Sequence, residues 1–172
     1  MDETLDQTNW RMNKIISLAE AKKNAAKFKK DGRKLVTVNG AFDILHVGHL
    51  DQLEAAKKQG DVLFVGINSD RSIRGYKGKE RPFFTEEARA AMLAALSCVD
   101  YVIIIDADEI EVPKLLLRTV QPHVHANGGE YGKAEQWIEW SVMQEIGTVG
   151  YEIQKRNKFS TSGLIDKIRR DR

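Results

Sequence analysis

Cysteine is nearly missing from this 172-residue chain, with Cys98 its single example. That excludes an intramolecular disulfide framework and a cysteine-built zinc site, and it fits a reducing cytosol. Proline is scarce too, at three residues, and no internal repeat or low-complexity tract is present. Charge of one sign is also lacking. Lys and Arg number 27 against 25 Asp and Glu, for a formal net charge of +2. A dedicated nucleic-acid binder usually shows a larger basic excess, so no nucleic-acid partner is expected. No apolar run approaches the length of a membrane span. The opening MDETLDQTNW has neither the basic start nor the apolar core of a signal peptide. These absences predict a soluble cytoplasmic protein with no membrane partner.

What is present is an ordinary globular composition, 42% hydrophobic and 30% charged, with a length that suits one domain. Residues 1–13 read as a polar tail and 14–172 as the domain. Ser17-Leu18-Ala19-Glu20 has the form of a capping box, and Gly32 supplies a stop, so an Ala/Lys-rich helix lies between them. Three apolar runs read as strands: 35–38, 62–67 and 101–105. Shorter strands are expected at 124–126 and 151–155. Helices are expected at 47–59, 85–97, 109–119, 135–146 and 161–170, and 69–82 reads as a basic loop. This alternation predicts an α/β fold, a single Rossmann-like doubly wound parallel sheet of about five strands with helices on both faces. Ligands of such sheets bind beyond the carboxyl ends of the strands, so chemistry is sought just after each one.

Directly after the first strand stands Asn39-Gly40-Ala41-Phe42-Asp43-Ile44-Leu45-His46-Val47-Gly48-His49. Its His-x-Gly-His core opens a helix. Histidines three apart near a helix start project to one side, and Gly48 lets a ligand approach the backbone. The free N–H groups and positive dipole of the helix terminus face the same place. That pattern suits a polyphosphate in transfer. A zinc site is the weaker reading, because H-E-x-x-H motifs space their histidines four apart around a glutamate. Lys77, Lys79, Arg81 and Arg89 either line a phosphate site or belong to a solvated loop. Ser160, Thr161 and Ser162 precede the last helix and suit both capping and phosphate binding. Trp10, Trp137 and Trp140 read as packing or interface residues, and His123 and His125 as structural.

On these residues the chain resembles the HxGH nucleotidyltransferase superfamily of cytidylyltransferases and adenylyltransferases. Within it, the chain is similar to the heptose 1-phosphate adenylyltransferases of ADP-heptose synthesis. Further segments carry the likeness: Gly60-Asp61-Val62-Leu63, Asn68-Ser69-Asp70-Arg71-Ser72, Lys77-Gly78, Arg81-Pro82, Gly128-Gly129-Glu130-Tyr131 and Ser160-Thr161-Ser162. The resemblance implies ATP (or CTP) and a sugar phosphate as substrates, Mg²⁺ with the nucleotide, a homodimer, and a separate sugar kinase in the pathway. It implies catalytic roles for His46 and His49. It places Gly40, Ala41, Phe42, Asp43, Gly48, Asn68, Lys77, Arg81, Arg89, Asn127, Gly128, Glu130, Tyr131, Ser160, Thr161 and Ser162 around the substrates, and no residue is assigned to a protein-bound metal. Asp43 reads as orienting a histidine or helping to hold the cation. Asn127 to Tyr131 are expected to meet the nucleobase and ribose. Three departures stand out: the family usually has Lys where this chain has Asn127, Asp where it has Glu130, and Ser-Thr-Thr where it has Ser160-Thr161-Ser162. The alternative reading is a CTP-dependent cytidylyltransferase acting on glycerol 3-phosphate or another phosphorylated alcohol.

Overall fold

A computed structural model describes residues 10–128, 131–154, 157 and 159–170. Five strands form one sheet: β1 (Leu35–Gly40), β2 (Val62–Asn68), β3 (Tyr101–Ile105), β4 (Val124–Gly128) and β5 (Val149–Ile153). All neighbours run parallel, in the order β3-β2-β1-β4-β5. Every residue of β2 is buried, as expected of a strand covered on both faces. The chain leaves β1 toward β2 and β3 on one side and later returns to β4 and β5 on the other. The crevice between β1 and β4 is therefore the topological switch point.

Alternate residues of the central strands face opposite layers. Val36, Val38, Leu63, Val65 and Ile67 pack with Leu53, Ala56, Ala90, Leu93 and Ala94, which come from α2 (Val47–Lys57) and α4 (Glu86–Ala94). Leu35, Phe64, Ile103 and Ile105 pack with Ala21, Ala25, Val112, Leu116 and Val120, from α1 (Leu18–Lys30) and α5 (Val112–Val120). A smaller cluster joins Leu117 to Ala134, Trp137, Val142 and Met143. The capping box opens α1 as expected: Ser17 Oγ accepts from the Glu20 N–H at 3.2 Å, and a Glu20 carboxylate oxygen accepts from the Ser17 N–H at 2.8 Å.

Four expectations need correction. The basic loop contains a helix, α3 (Asp70–Lys77), capped by Ser69. The helix expected over 135–146 is broken into a 3-10 turn (Ala134–Gln136) and α6 (Trp140–Ile146), with Trp137 extended between them. The fifth strand begins two residues earlier than expected, because Val149 pairs with Val124. Residues 10–14, mostly assigned to the tail, form a 3-10 turn tied down by Lys14, whose ammonium donates to the Leu96 and Val99 carbonyls. The final helix, α7 (Thr161–Arg170), has no buried residue. No described helix is long and apolar enough to cross a membrane.

Candidate active site

The end of β1, the start of α2, the loop after β5 and the start of α7 surround one cleft at the switch point. Its lining includes Asn39, Gly40, Asp43, His46, Gly48, His49, Lys77, Arg81, Gly128, Asn157 and Ser160 to Ser162. His46 is the N-cap of α2. Its Nδ1 accepts from the His49 backbone N–H at 3.3 Å, so a neutral ring carries its proton on Nε2. The two imidazoles stack, with centroids 3.8 Å apart and an interplanar angle of 17°. Gly48 makes room for this arrangement, since a Cβ there would stand 3.0 Å from the His46 ring and 3.2 Å from Asn157 Oδ1.

Burial is the main reason that the His49 imidazole is pushed down to about 4; the nearby positive charges of His46 and Lys77 add to it, against Asp43 and the Ile44 backbone. His49 is thus neutral near pH 7. Among the described residues, two buried side-chain polar atoms make no hydrogen bond, His49 Nδ1 and Asn39 Oδ1, and both residues line this cleft. Partial desolvation against the cleft wall and the charge of Arg81 also lower the Lys77 ammonium. An incoming polyphosphate reverses both penalties by supplying negative charge.

The loop below the histidines is held under local strain. Phe42 is a buried non-glycine residue with φ +46°, a backbone state that costs roughly 1–3 kcal/mol and persists only when its surroundings enforce it. Asp43 provides that enforcement. Its Oδ2 accepts from Arg81 Nε and Nη2 at 2.7 and 2.6 Å, and its Oδ1 accepts from the Phe83 and Phe84 N–H groups at 2.8 and 3.1 Å. Arg89 is fully buried. Its guanidinium donates to the carbonyls of Phe84, Ala41 and Asn68 and to the Asp70 carboxylate, joining the ends of β1 and β2 to α3.

At the far wall, Ser160 Oγ accepts from the Gly163 N–H at 3.1 Å, so Ser160 is the residue that caps α7. Asn157 Nδ2 donates to Asp51 of α2 at 2.6 Å, which latches the approach to α7 onto the helix that carries the histidines. The N-termini of α2 and α7 therefore border one space, each with its dipole positive there.

The cytidylyltransferase-like family model matches residues 37–166, which run from within β1 to within α7. The chain belongs to this family of nucleotidyltransferases. It is 44% identical over 142 residues to the bifunctional protein HldE of Geobacter metallireducens, covering 83% of this chain and 28% of that protein. It is 46% identical over 154 residues to the bifunctional protein HldE of Aliarcobacter butzleri, covering 90% and 31%. The chain thus spans about three tenths of the length of these curated relatives. Among solved structures, the lipopolysaccharide core biosynthesis protein of Thermoplasma volcanium matches with 28% identity and a TM-score of 0.59, over 75% of this chain and all of that one. Pantoate-beta-alanine ligase from Francisella tularensis shares the fold at TM-score 0.62 and 16% identity, over 87% of this chain and 69% of that one.

Within this cytidylyltransferase-like chain, the cleft gathers His46, His49, Gly40, Ala41, Phe42, Asp43, Gly48, Lys77, Arg81, Gly128, Tyr131, Ser160, Thr161 and Ser162. Three expected residues depart from it. Arg89 does not line the cleft: it is fully buried, and four of its five N–H groups are spent on protein acceptors. Asn68 and Asn127 line an adjoining second cavity instead. Both Asp43 oxygens accept from Arg81 and from the segment after it, so in this structure Asp43 braces the loop, and its charge also acts on His49. Glu130 lies outside the described residues. Sequence reasoning passed over Asp51, Gln52 and Asn157, which also line the cleft. Asp51 and Gln52 lie one turn or less beyond Gly48 and His49, so helical spacing alone would have found them.

Proposed function

We propose that this chain transfers the nucleoside monophosphate of ATP to a sugar phosphate, with heptose 1-phosphate as acceptor and pyrophosphate as leaving group. The observation that carries this reading is the convergence of the stacked His46–His49 pair with the N-termini of α2 and α7 on one cleft. The likeness to the HldE proteins and to a lipopolysaccharide core biosynthesis protein supports the choice of acceptor. An acceptor phosphate oxygen attacks the α-phosphorus, the bond to the bridging oxygen breaks, and pyrophosphate departs with its electron pair. No covalent enzyme intermediate is required. The work of the protein is positioning and stabilisation of charge on the phosphates. His46 Nε2–H serves as one donor, and the backbone N–H groups that open α7 serve as others.

Mg²⁺ belongs to the proposal as the companion of the triphosphate, where it neutralises phosphate charge. Of the two carboxylates that line the cleft, Asp43 does not fit as its ligand, because both of its oxygens are engaged by Arg81 and the segment after it, while Asp51 commits Oδ2 to Asn157. No group of three potential metal ligands occurs among the described residues. We therefore assign no residue to the cation. A homodimer and a separate sugar kinase that makes the acceptor complete the reading.

Pyrophosphate release from ATP, CTP and GTP, each with heptose 1-phosphate and with glycerol 3-phosphate, tests it. The expected result is the highest kcat/KM for ATP with heptose 1-phosphate. His46→Ala and His49→Ala should each lower kcat by roughly 10²–10³-fold, the usual cost of one donor aimed at transition-state charge, with circular dichroism unchanged. A preference for CTP with glycerol 3-phosphate would replace this reading by cytidylyl transfer to a phosphorylated alcohol. Near-normal turnover in both histidine variants would remove the site assignment.

A further inference from the structure

The cations of this protein are unevenly placed. Residues 22–34 hold seven of its 27 Lys and Arg but one, Asp31, of its 25 Asp and Glu, so the rest of the chain is net negative although the whole carries +2. Most of this segment is α1, whose inner face, Ala21, Ala25 and Phe28, packs on the sheet. Lys23, Lys27 and Lys30 follow helical spacing on the outward face, and each is exposed. Arg33 and Lys34 continue the exposed cations through the turn into β1. The helix dipole accounts for Lys27, Lys29 and Lys30 in the last turn, but not for Lys22 and Lys23 or for the two cations beyond the helix. Like charges at this spacing weaken a helix. Among the described residues, none of the six lysines of this segment makes an ion pair, and Arg33 approaches Asp61 only to 4.0 Å.

The patch lies at the end of the sheet opposite the cleft. The Lys34 carbonyl accepts from the Asp61 and Val62 N–H groups where β2 begins. Arg33 lies over the Phe28 ring at 6.0 Å, and Phe28 meets Tyr101, the first residue of β3, with ring centroids 6.1 Å apart. Just before β3, the Val99 carbonyl holds the Lys14 ammonium, which lies over the ring of Trp10, 61% exposed. Of the carboxylates at this end, Asp61 accepts from the Lys34 N–H and Asp100 pairs with Lys57. One end of the molecule thus presents unpaired lysines and an exposed tryptophan, away from the cleft.

Lysines on long stems suit a diffuse field of negative charge. Reading a defined pattern of phosphates and base edges is work for the planar fork of arginine, and one arginine stands among the seven cations. A tryptophan beside them suits the headgroup level of a bilayer. We propose that this end of the protein is a docking surface for an anionic lipid membrane, on which the protein lies peripherally with its cleft toward the solution. The expectation of no membrane partner rested on the lack of a long apolar run. That lack excludes a spanning helix and leaves attachment by surface charge and an aromatic anchor open.

Membrane attachment is independent of the reaction, so its test needs no turnover. Wild type is sedimented with vesicles of phosphatidylcholine containing about 30% phosphatidylglycerol, and with phosphatidylcholine alone, at about 0.1 M and about 1 M salt. It should sediment with the anionic vesicles at the lower salt, leave them at the higher, and stay in solution with phosphatidylcholine alone. A basic residue near an anionic surface adds roughly fivefold to partitioning, so Lys23→Gln, Lys27→Gln and Lys30→Gln together should weaken it roughly a hundredfold. Trp10→Ala should weaken it by a smaller factor. All four positions are exposed, so the fold should survive, as checked by circular dichroism. No sedimentation of wild type with the anionic vesicles, or equal sedimentation of the triple variant, overturns the proposal. Retention on duplex DNA at a salt concentration that strips the vesicles also overturns it and makes nucleic acid the partner.

Discussion

The floor and the rim of the cleft are built on opposite terms. In the floor, Asp43 and Arg89 are buried and their polar atoms are engaged by named protein partners. At the rim, Lys77, Tyr131 and Ser162 are exposed, and the two buried side-chain polar atoms without a partner among the described residues belong to Asn39 and His49, where floor meets rim. Charged residues near a site therefore divide into braces and ligand-facing groups by the completeness of their bonding. A buried arginine that spends four of its five N–H groups on protein acceptors is a brace, whereas a polar atom left unpaired beside the cleft is open to a ligand.

The largest expected effect breaks a brace. Arg89→Met removes the guanidinium donor from the Phe84, Ala41 and Asn68 carbonyls and from Asp70 Oδ1, leaving Arg74 as that carboxylate's cationic partner. It should cost about 3–5 kcal/mol, the range for removing one partner of a buried charged network, as read by urea denaturation. Lys77→Met, from the rim, should leave the denaturation midpoint nearly unchanged and raise KM for ATP or the acceptor. Equal midpoints in the two variants would erase the distinction.

The next effect follows from protonation. His49 is held at about 4 in the folded protein, against about 6.5 in an unfolded chain. Between those values the unfolded state binds more protons, so stability falls as pH drops from 6.5 to 4, by up to about 3 kcal/mol from this group. His49→Gln should flatten that part of the stability curve. An unaltered slope in the variant would show that His49 is not held neutral by its surroundings.

The smallest effect separates two neighbouring hydroxyls. Ser160→Ala should lower stability by roughly 1 kcal/mol through loss of the α7 cap. Thr161→Val should lower ATP affinity with little change in melting temperature. The reverse pattern would exchange their roles.

Local signals made much of this legible in the sequence. The β-branched runs, the Ser17–Glu20 box and the His46–His49 spacing are short-range patterns, and each marks the element that forms there. The α3 helix escaped because its sequence, DRSIRGYK, offers only Ile73 and Tyr76 as apolar positions, although Ser69 had the right chemistry for a cap. The bonding of Arg89 and Asp43 could not be read, because the partners lie as many as 48 residues away in sequence. The same holds for Glu139. Its position inside an expected helix concealed a buried carboxylate that turns toward a strand.

The helix α7 reaches the body without burying a single residue, and Asn157 latches the approach to it onto α2. A triphosphate seated between the two helix starts would give α7 contacts that its own side chains do not provide. On the proposed function, the substrate would then belong to the architecture as well as to the reaction. Such binding would stabilise the α7 wall by RT ln(1 + [L]/Kd), about 2.7 kcal/mol at a hundredfold excess over Kd.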